Sequence, residues 1–115
     1  MIEITIYEFL NTNMTAPVYM EVPNNPPKVM VVLEKTGSSL LNHIKRSTFA
    51  IQSYGRSLQE AAELNESLKE IMMDGLDGLA SLDEIVSVNL NSDYNFTDTT
   101  TKKYRYQAVF DIVHY

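Results

Sequence analysis

The segment from Ser57 to Leu79 constrains this chain more than any other stretch. Leu58, Ala61, Ala62, Leu68, Met72, Leu76 and Leu79 recur at spacings of three and four, so at about 100° per residue they centre on one side of a helix. Glu60, Glu63, Glu66, Glu70, Asp74 and Asp77 centre almost opposite, and Leu64 and Ile71 widen the apolar stripe. Ser57 followed by Glu60 has the spacing of a capping box, in which the hydroxyl meets an orphan amide of the first turn. Gly75 or Gly78 offers a stop, because glycine tolerates a left-handed terminal conformation. The pattern predicts an amphipathic helix over about residues 57–75.

Strand patterns surround that helix. Val18-Tyr19-Met20-Glu21-Val22, bounded by Pro17 and Pro23, predicts a short strand, and Pro23-Asn24-Asn25-Pro26-Pro27 a loop that cannot donate ladder bonds at its prolines. Lys28 to Lys35 is apolar on both faces and predicts a central strand. Thr36-Gly37-Ser38-Ser39 reads as a turn, and His43 to Tyr54 as another strand. After the helix, Val86, Val88, Leu90, Tyr94 and Phe96 mark one strand, and Tyr104, Tyr106, Ala108, Phe110 and Ile112 the last. Between them Asp98 to Lys103 reads as a polar, mobile connection. Residues 1–13 fit a strand through Ile2, Ile4 and Ile6, or a helix through Ile2, Ile6, Phe9 and Leu10, with the helix preferred. At 115 residues this is a single domain spanning 1–115. The expected fold is α+β: a mostly antiparallel, meandering sheet of about five strands, with one long helix and a short N-terminal helix packed on one face.

Charge and composition narrow the chemistry. The net charge is −6. Residues 60–84 hold eight acids against the single base Lys69, so this segment carries the whole imbalance. Such a balance disfavours tight binding to phosphate backbones. The acids along one helical face diverge, unlike the converging oxygens of a calcium site, so they are either a solvated face or the wall of an acidic ring or channel. With no cysteine there is no disulfide framework, thiolate zinc site or cysteine nucleophile. The two histidines, His43 and His114, read as ordinary sheet residues. Thr36-Gly37-Ser38-Ser39 lacks the lysine and glycine spacing of a P-loop, and no nucleophile elbow is present. Tyrosines and phenylalanines on the last two strands could stack single-stranded bases, but Lys102, Lys103 and Arg105 are too few for a positive groove, so they read as core. Asn65-Glu66-Ser67 and Asn95-Phe96-Thr97 match the glycosylation sequon and are taken as chance. No apolar run approaches the ~20 residues needed to span a bilayer, and Met1-Ile2-Glu3-Ile4 does not open like a signal peptide. The expectation is a soluble building block made in the cytosol, without catalytic, cofactor-binding or metal residues, acting through strand edges and loops.

The order of several segments resembles a known family. Pro17-Val18-Tyr19-Met20-Glu21-Val22-Pro23 is followed by Val29 to Lys35 leading into Thr36-Gly37-Ser38. Phe49-Ala50-Ile51-Gln52-Ser53-Tyr54 runs directly into Ser57 and the Glu60-Ala61-Ala62 helix. The chain closes with Tyr94-Asn95-Phe96-Thr97-Asp98 and Tyr104-Arg105-Tyr106-Gln107-Ala108-Val109-Phe110. Over about residues 14–115 this resembles the tail-terminator and head–tail joining proteins of long-tailed bacteriophages. The resemblance implies a structural virion protein, assembled in the host cytoplasm, that forms a hexameric ring. Such a ring caps the finished tail tube, stops its elongation and presents a surface to the head–tail connector proteins. DNA passes through the lumen without specific binding, and no enzyme activity, cofactor or membrane is implied. Glu60, Glu63, Glu66, Glu70, Asp74 and Asp77 are then a candidate lumen or interface face. Asn24, Asn25, Gly37, Ser38, Thr99, Thr100 and Lys102 are candidate partner-contacting loop residues. Alternatives are another neck component, such as a head-completion or connector protein, or a small acidic ligand-binding domain or enzyme. That last alternative requires Tyr19, Tyr54 or His43 to converge with a carboxylate.

Overall fold

A computed structural model describes all residues 1–115. The elements are helix α1 (Ile2–Asn13), β1 (Val18–Tyr19), β2 (Met30–Leu41), β3 (Ile44–Gly55), α2 (Leu58–Met73), a 3-10 turn at Leu79–Ser81, β4 (Ile85–Asn95) and β5 (Tyr104–His114). The fold is α+β, with one five-stranded sheet in the order β1-β2-β3-β5-β4. The sheet is mixed: β1 runs parallel to β2, and the other neighbours are antiparallel. It is also not the expected meander. After α2 the chain crosses to the far edge as β4, and β5 returns to fill the place between β3 and β4. That placement puts Ala108, Phe110 and Ile112, the most apolar alternation in the chain, against Ile51, Phe49 and Ser47 in the middle of the sheet.

One face of the sheet carries the core. Val31 and Leu33 of β2, Phe49 and Ile51 of β3, and Ala108, Phe110 and Ile112 of β5 pack with Ile2, Ile6 and Leu10 of α1 and Leu68 and Met72 of α2. Burial of this apolar surface is the dominant favourable term in folding. The ambiguous N-terminus is therefore a helix: Ile2, Ile6 and Leu10 face inward at a spacing of four, while Ile4 is exposed. A strand would have turned Ile4 inward with Ile2 and Ile6.

Helix α2 follows its sequence pattern with three differences. The Ser57 hydroxyl accepts from the Glu60 amide at 3.2 Å, as the capping box predicts. The Glu60 carboxylate reaches one residue further back than expected, to the Arg56 amide and guanidinium. The helix stops at Met73, and no glycine has positive φ. Asp74 ends it instead, its carboxylate accepting from the amides of Leu76 and Asp77. Gly78 is required for a different reason: a Cβ there would lie 2.3 Å from the Asp74 carbonyl oxygen. Leu76, counted in the apolar stripe from sequence, is beyond the helix and exposed.

The strands correct several boundaries. β1 is only two residues long, and Met20, Glu21 and Val22 belong to the loop that follows. Thr36 to Ser39 is not a turn. It continues β2 past a bulge between Lys35 and Gly37, and the reversal comes at Asn42 and His43, both with positive φ. Two left-handed residues between paired Leu41 and Ile44 form the hairpin connection that matches strand twist. Bulges between Ile85 and Ser87 and between Leu90 and Ser92 break the expected alternation of β4. Val88 packs on the core, whereas Tyr94 and Phe96 face the helix-free side and are exposed. These two aromatics are therefore not core; they meet edge to face at 5.9 Å. The connection from Asp98 to Lys103 is a bonded turn: the two residues exchange backbone bonds, and the Asp98 carboxylate accepts from the Thr100 amide.

Candidate interaction surfaces

The acidic face of α2 points away from the sheet. Glu63, Glu66 and Glu70 are exposed on it, and Glu60 is half-buried at its start. Glu60 is held by Arg56 at 2.8 Å, and the Arg56 hydrogen bonds lower its pKa from 4.5 to about 2. Glu66 pairs with Lys69 at 2.7 Å. Asp74 and Asp77 lie past the end of the helix, and the Leu76 and Asp77 amides hold the Asp74 carboxyl below its usual range. Glu63, Glu70 and Asp77 form no ion pair.

Beneath this face a polar group anchors α2 to edge strand β4. Asn65, only 1% exposed, donates its side-chain amide to Asp93 at 3.0 Å, and Lys69 reaches the same carboxylate oxygen at 2.8 Å. The hydrogen bonds from Lys69 to Asp93 and Glu66 raise the lysine's pKa. Asn65 Oδ1 and Ser53 Oγ are buried without partners. The burial of Asn65 also removes it as a glycan acceptor in the folded chain. Sequence reading placed no polar residue inside the helix's packed face; the one signal was that Asn65 sits at i+4 from Ala61, within the apolar stripe.

The second surface is the outer edge of β2. β1 covers only Val31 and Val32, so from Leu33 to Leu41 this edge pairs with no other strand. Residues 34–41 are exposed throughout, and the edge ends at Leu40 and Leu41, 65% and 74% exposed, opposite exposed Ile44. An unpaired edge with an apolar end is a template for strand addition by another chain. Gly37 and Ser38 lie on this edge, within the strand and not in the loop expected from sequence.

The remaining loop residues lie on two loops at the opposite end of β2, and of them only Lys102 lines the cleft between those loops. The β1–β2 loop, which carries Asn24 and Asn25, meets the β4–β5 turn, which carries Thr99, Thr100 and Lys102. Between them opens a cleft of about 360 Å³ lined by Lys28, Tyr54, Asp98, Lys102, Lys103 and Arg105. The Arg105 guanidinium donates to the Phe96 carbonyl at 2.7 Å and to the Tyr54 hydroxyl at 3.0 Å, and it lies 4.4 Å above the Phe96 ring. The Thr101 side chain and the Thr101 and Thr100 amides hold the Asp98 carboxyl below its usual range. Nothing in the sequence brings Lys28 beside Lys102 and Lys103; only the fold does.

The histidines separate. His43 is in the hairpin turn, not at the start of a strand, and is exposed. His114 is buried on β5, with its Nε2 2.8 Å from the Ser47 hydroxyl and its Nδ1 3.2 Å from the Tyr115 carbonyl. Ser47 is itself buried. Tyr19 and Tyr54 pack together with Met30 and Val32, and His43 is at the other end of the β2–β3 hairpin; Tyr54 shares the cleft lining with the Asp98 carboxylate, its hydroxyl accepting from Arg105. No group of three or more histidine, aspartate or glutamate side chains is placed to hold a metal ion. No helix is long and apolar enough to cross a membrane. Comparison with protein-family models and with curated proteins finds no match for this chain.

Proposed function

We propose that this protein is a ring-forming tail terminator of a long-tailed bacteriophage, a structural subunit that caps the tail tube, stops its elongation and offers the head–tail joining surface. The reading rests on the segment order from Pro17 to Phe110 that resembles that family. The structural observation that supports it best is the free β2 edge from Leu33 to Leu41, with its exposed Leu40, Leu41 and Ile44. A strand whose outer side is unpaired from Leu33 to its end, in solvent-facing leucines, is a liability in a monomer and a docking element in an assembly. The mostly antiparallel sheet with both helices on one face leaves that edge and the helix-free face open to neighbours. The partners of this reading are further copies of the chain, the tube protein and the head–tail connector proteins, in the virion.

The test is tube polymerisation. Added to elongating tail-tube protein, the purified chain should hold the tubes at the length they have reached, and Leu40→Asp with Leu41→Asp should let growth continue. Tubes that lengthen equally with and without the wild-type protein would refute the reading.

A further inference from the structure

The cleft between the β1–β2 loop and the β4–β5 turn concentrates positive charge in an acidic protein. Lys28, Lys102, Lys103 and Arg105 surround one acid, Asp98, and none of the four cations forms an ion pair within the chain. Arg105 is fixed in place by the Phe96 carbonyl, the Tyr54 hydroxyl and the Phe96 ring, so ordering it on binding costs little. On the other side of the sheet, Glu63 and Glu70 stand seven residues apart on the outer face of α2, about 10 Å along the axis, without cation partners.

We propose that this basic cleft receives the acidic outer face of α2 from a second copy of the chain. The inference rests on the ring reading and deepens it by assigning the contact that joins the subunits. Three observations favour a second copy as occupant. The two surfaces are complementary in charge, yet they lie on opposite sides of the sheet, so one molecule cannot satisfy both. Pairing unlike surfaces repeats head to tail, the heterologous geometry from which a ring forms when the rotation between subunits closes. The chain's net charge of −6 makes random encounters between copies repulsive, and the cleft-to-helix approach is the attractive one. The same net charge works against a nucleic acid in the cleft. On this assignment Glu63 and Glu70 belong to the subunit contact and not to the lumen wall.

Two charge-reversed variants of the full chain test this: a cleft variant, Lys102→Glu with Lys103→Glu, and a helix variant, Glu63→Lys with Glu70→Lys. Circular dichroism verifies that each is folded, and sedimentation velocity at low salt reads the association. Each variant alone should associate at least ~10-fold more weakly than the wild type, because like charges then face each other. An equimolar mixture should restore assembly, since each cleft then meets a helix of opposite sign. High salt should weaken wild-type assembly as the Debye length shortens. Variants that each assemble like the wild type would overturn the contact and leave the ring reading standing. A mixture that stays dispersed would overturn the pairing. A cleft variant that loses binding to a short single-stranded oligonucleotide, with unchanged self-association, would reassign the cleft to nucleic acid. Wild-type protein that stays monomeric at every concentration would remove both the contact and the ring.

Discussion

Replacing Asp93 by alanine tests whether the buried polar anchor under α2 holds the helix to β4. The Asp93 carboxylate accepts from Asn65 at 3.0 Å and from Lys69 at 2.8 Å. Lys69 keeps Glu66 at 2.7 Å after the change, so the loss of its second partner costs little, ~1 kcal/mol or less. Asn65 has no such reserve. It is 1% exposed, its Oδ1 is already unpartnered, and its amide would be stranded as well, which costs about 1–3 kcal/mol. The sum spans about 1–4 kcal/mol, and its midpoint of about 2.5 kcal/mol, at about 4 °C per kcal/mol for a domain of this size, lowers Tm by ~10 °C. The assay is urea unfolding followed by circular dichroism, with an unchanged m-value required so that the shift reports stability alone. Asn65→Leu gives the decisive background: with no amide left to strand, Asp93→Ala should cost only ~1 kcal/mol, a coupling of about 1–2 kcal/mol. Equal costs of Asp93→Ala in both backgrounds would refute the argument.

Other perturbations follow from the same geometry. Gly78→Ala places a Cβ 2.3 Å from the Asp74 carbonyl oxygen and should lower stability by ~1–3 kcal/mol, whereas Gly75→Ala, with nothing within 4 Å, should stay within ~0.5 kcal/mol; paired urea titrations compare them. Glu63→Lys alters an exposed side chain without an ion partner, so Tm should change by no more than ~2 °C even where assembly is lost. Glu60 has its pKa lowered in the folded state from 4.5 to about 2, so its contribution is complete above pH 4.5 and is lost as pH falls towards 2. The carboxyls of Asp74, Asp98 and Asp111 are lowered in the same direction, so the urea midpoint should fall on acidification, and Arg56→Ala should flatten the part due to Glu60.

What the sequence disclosed depended on burial. Helix α2 was legible because its apolar and acidic residues take opposite sides, and the cap at Ser57 and Glu60 marked its start. β5 was legible because Ala108, Phe110 and Ile112 alternate inward without interruption. The second half of β2 was not. Both faces of residues 34–41 meet solvent, so nothing selects apolar alternation, and a strand built from Thr36, Gly37, Ser38 and Ser39 has the composition of a turn. β4 failed through its bulges: an extra residue near Asn91 turns Tyr94 and Phe96 to the opposite face from Val88. The parallel pairing of β1 and the insertion of β5 between β3 and β4 depend on distant partners that local pattern cannot supply. Of the candidate site residues, the acidic helix could be found by counting charges, and the loops carrying Asn24, Thr99 and Lys102 by their turn chemistry. The basic cleft could not, because Lys28 and Lys102 come together only through the register of β2, β3 and β5.

The most direct measurement of whether this chain acts as a ring is the mass and shape of the purified protein in solution. Light scattering combined with negative-stain imaging, alone and with tube protein present, reads both at once. The account predicts annular particles of about six times the 13.1 kDa chain mass. Protein that remains at the mass of one chain under both conditions, with no annular particles, would contradict it.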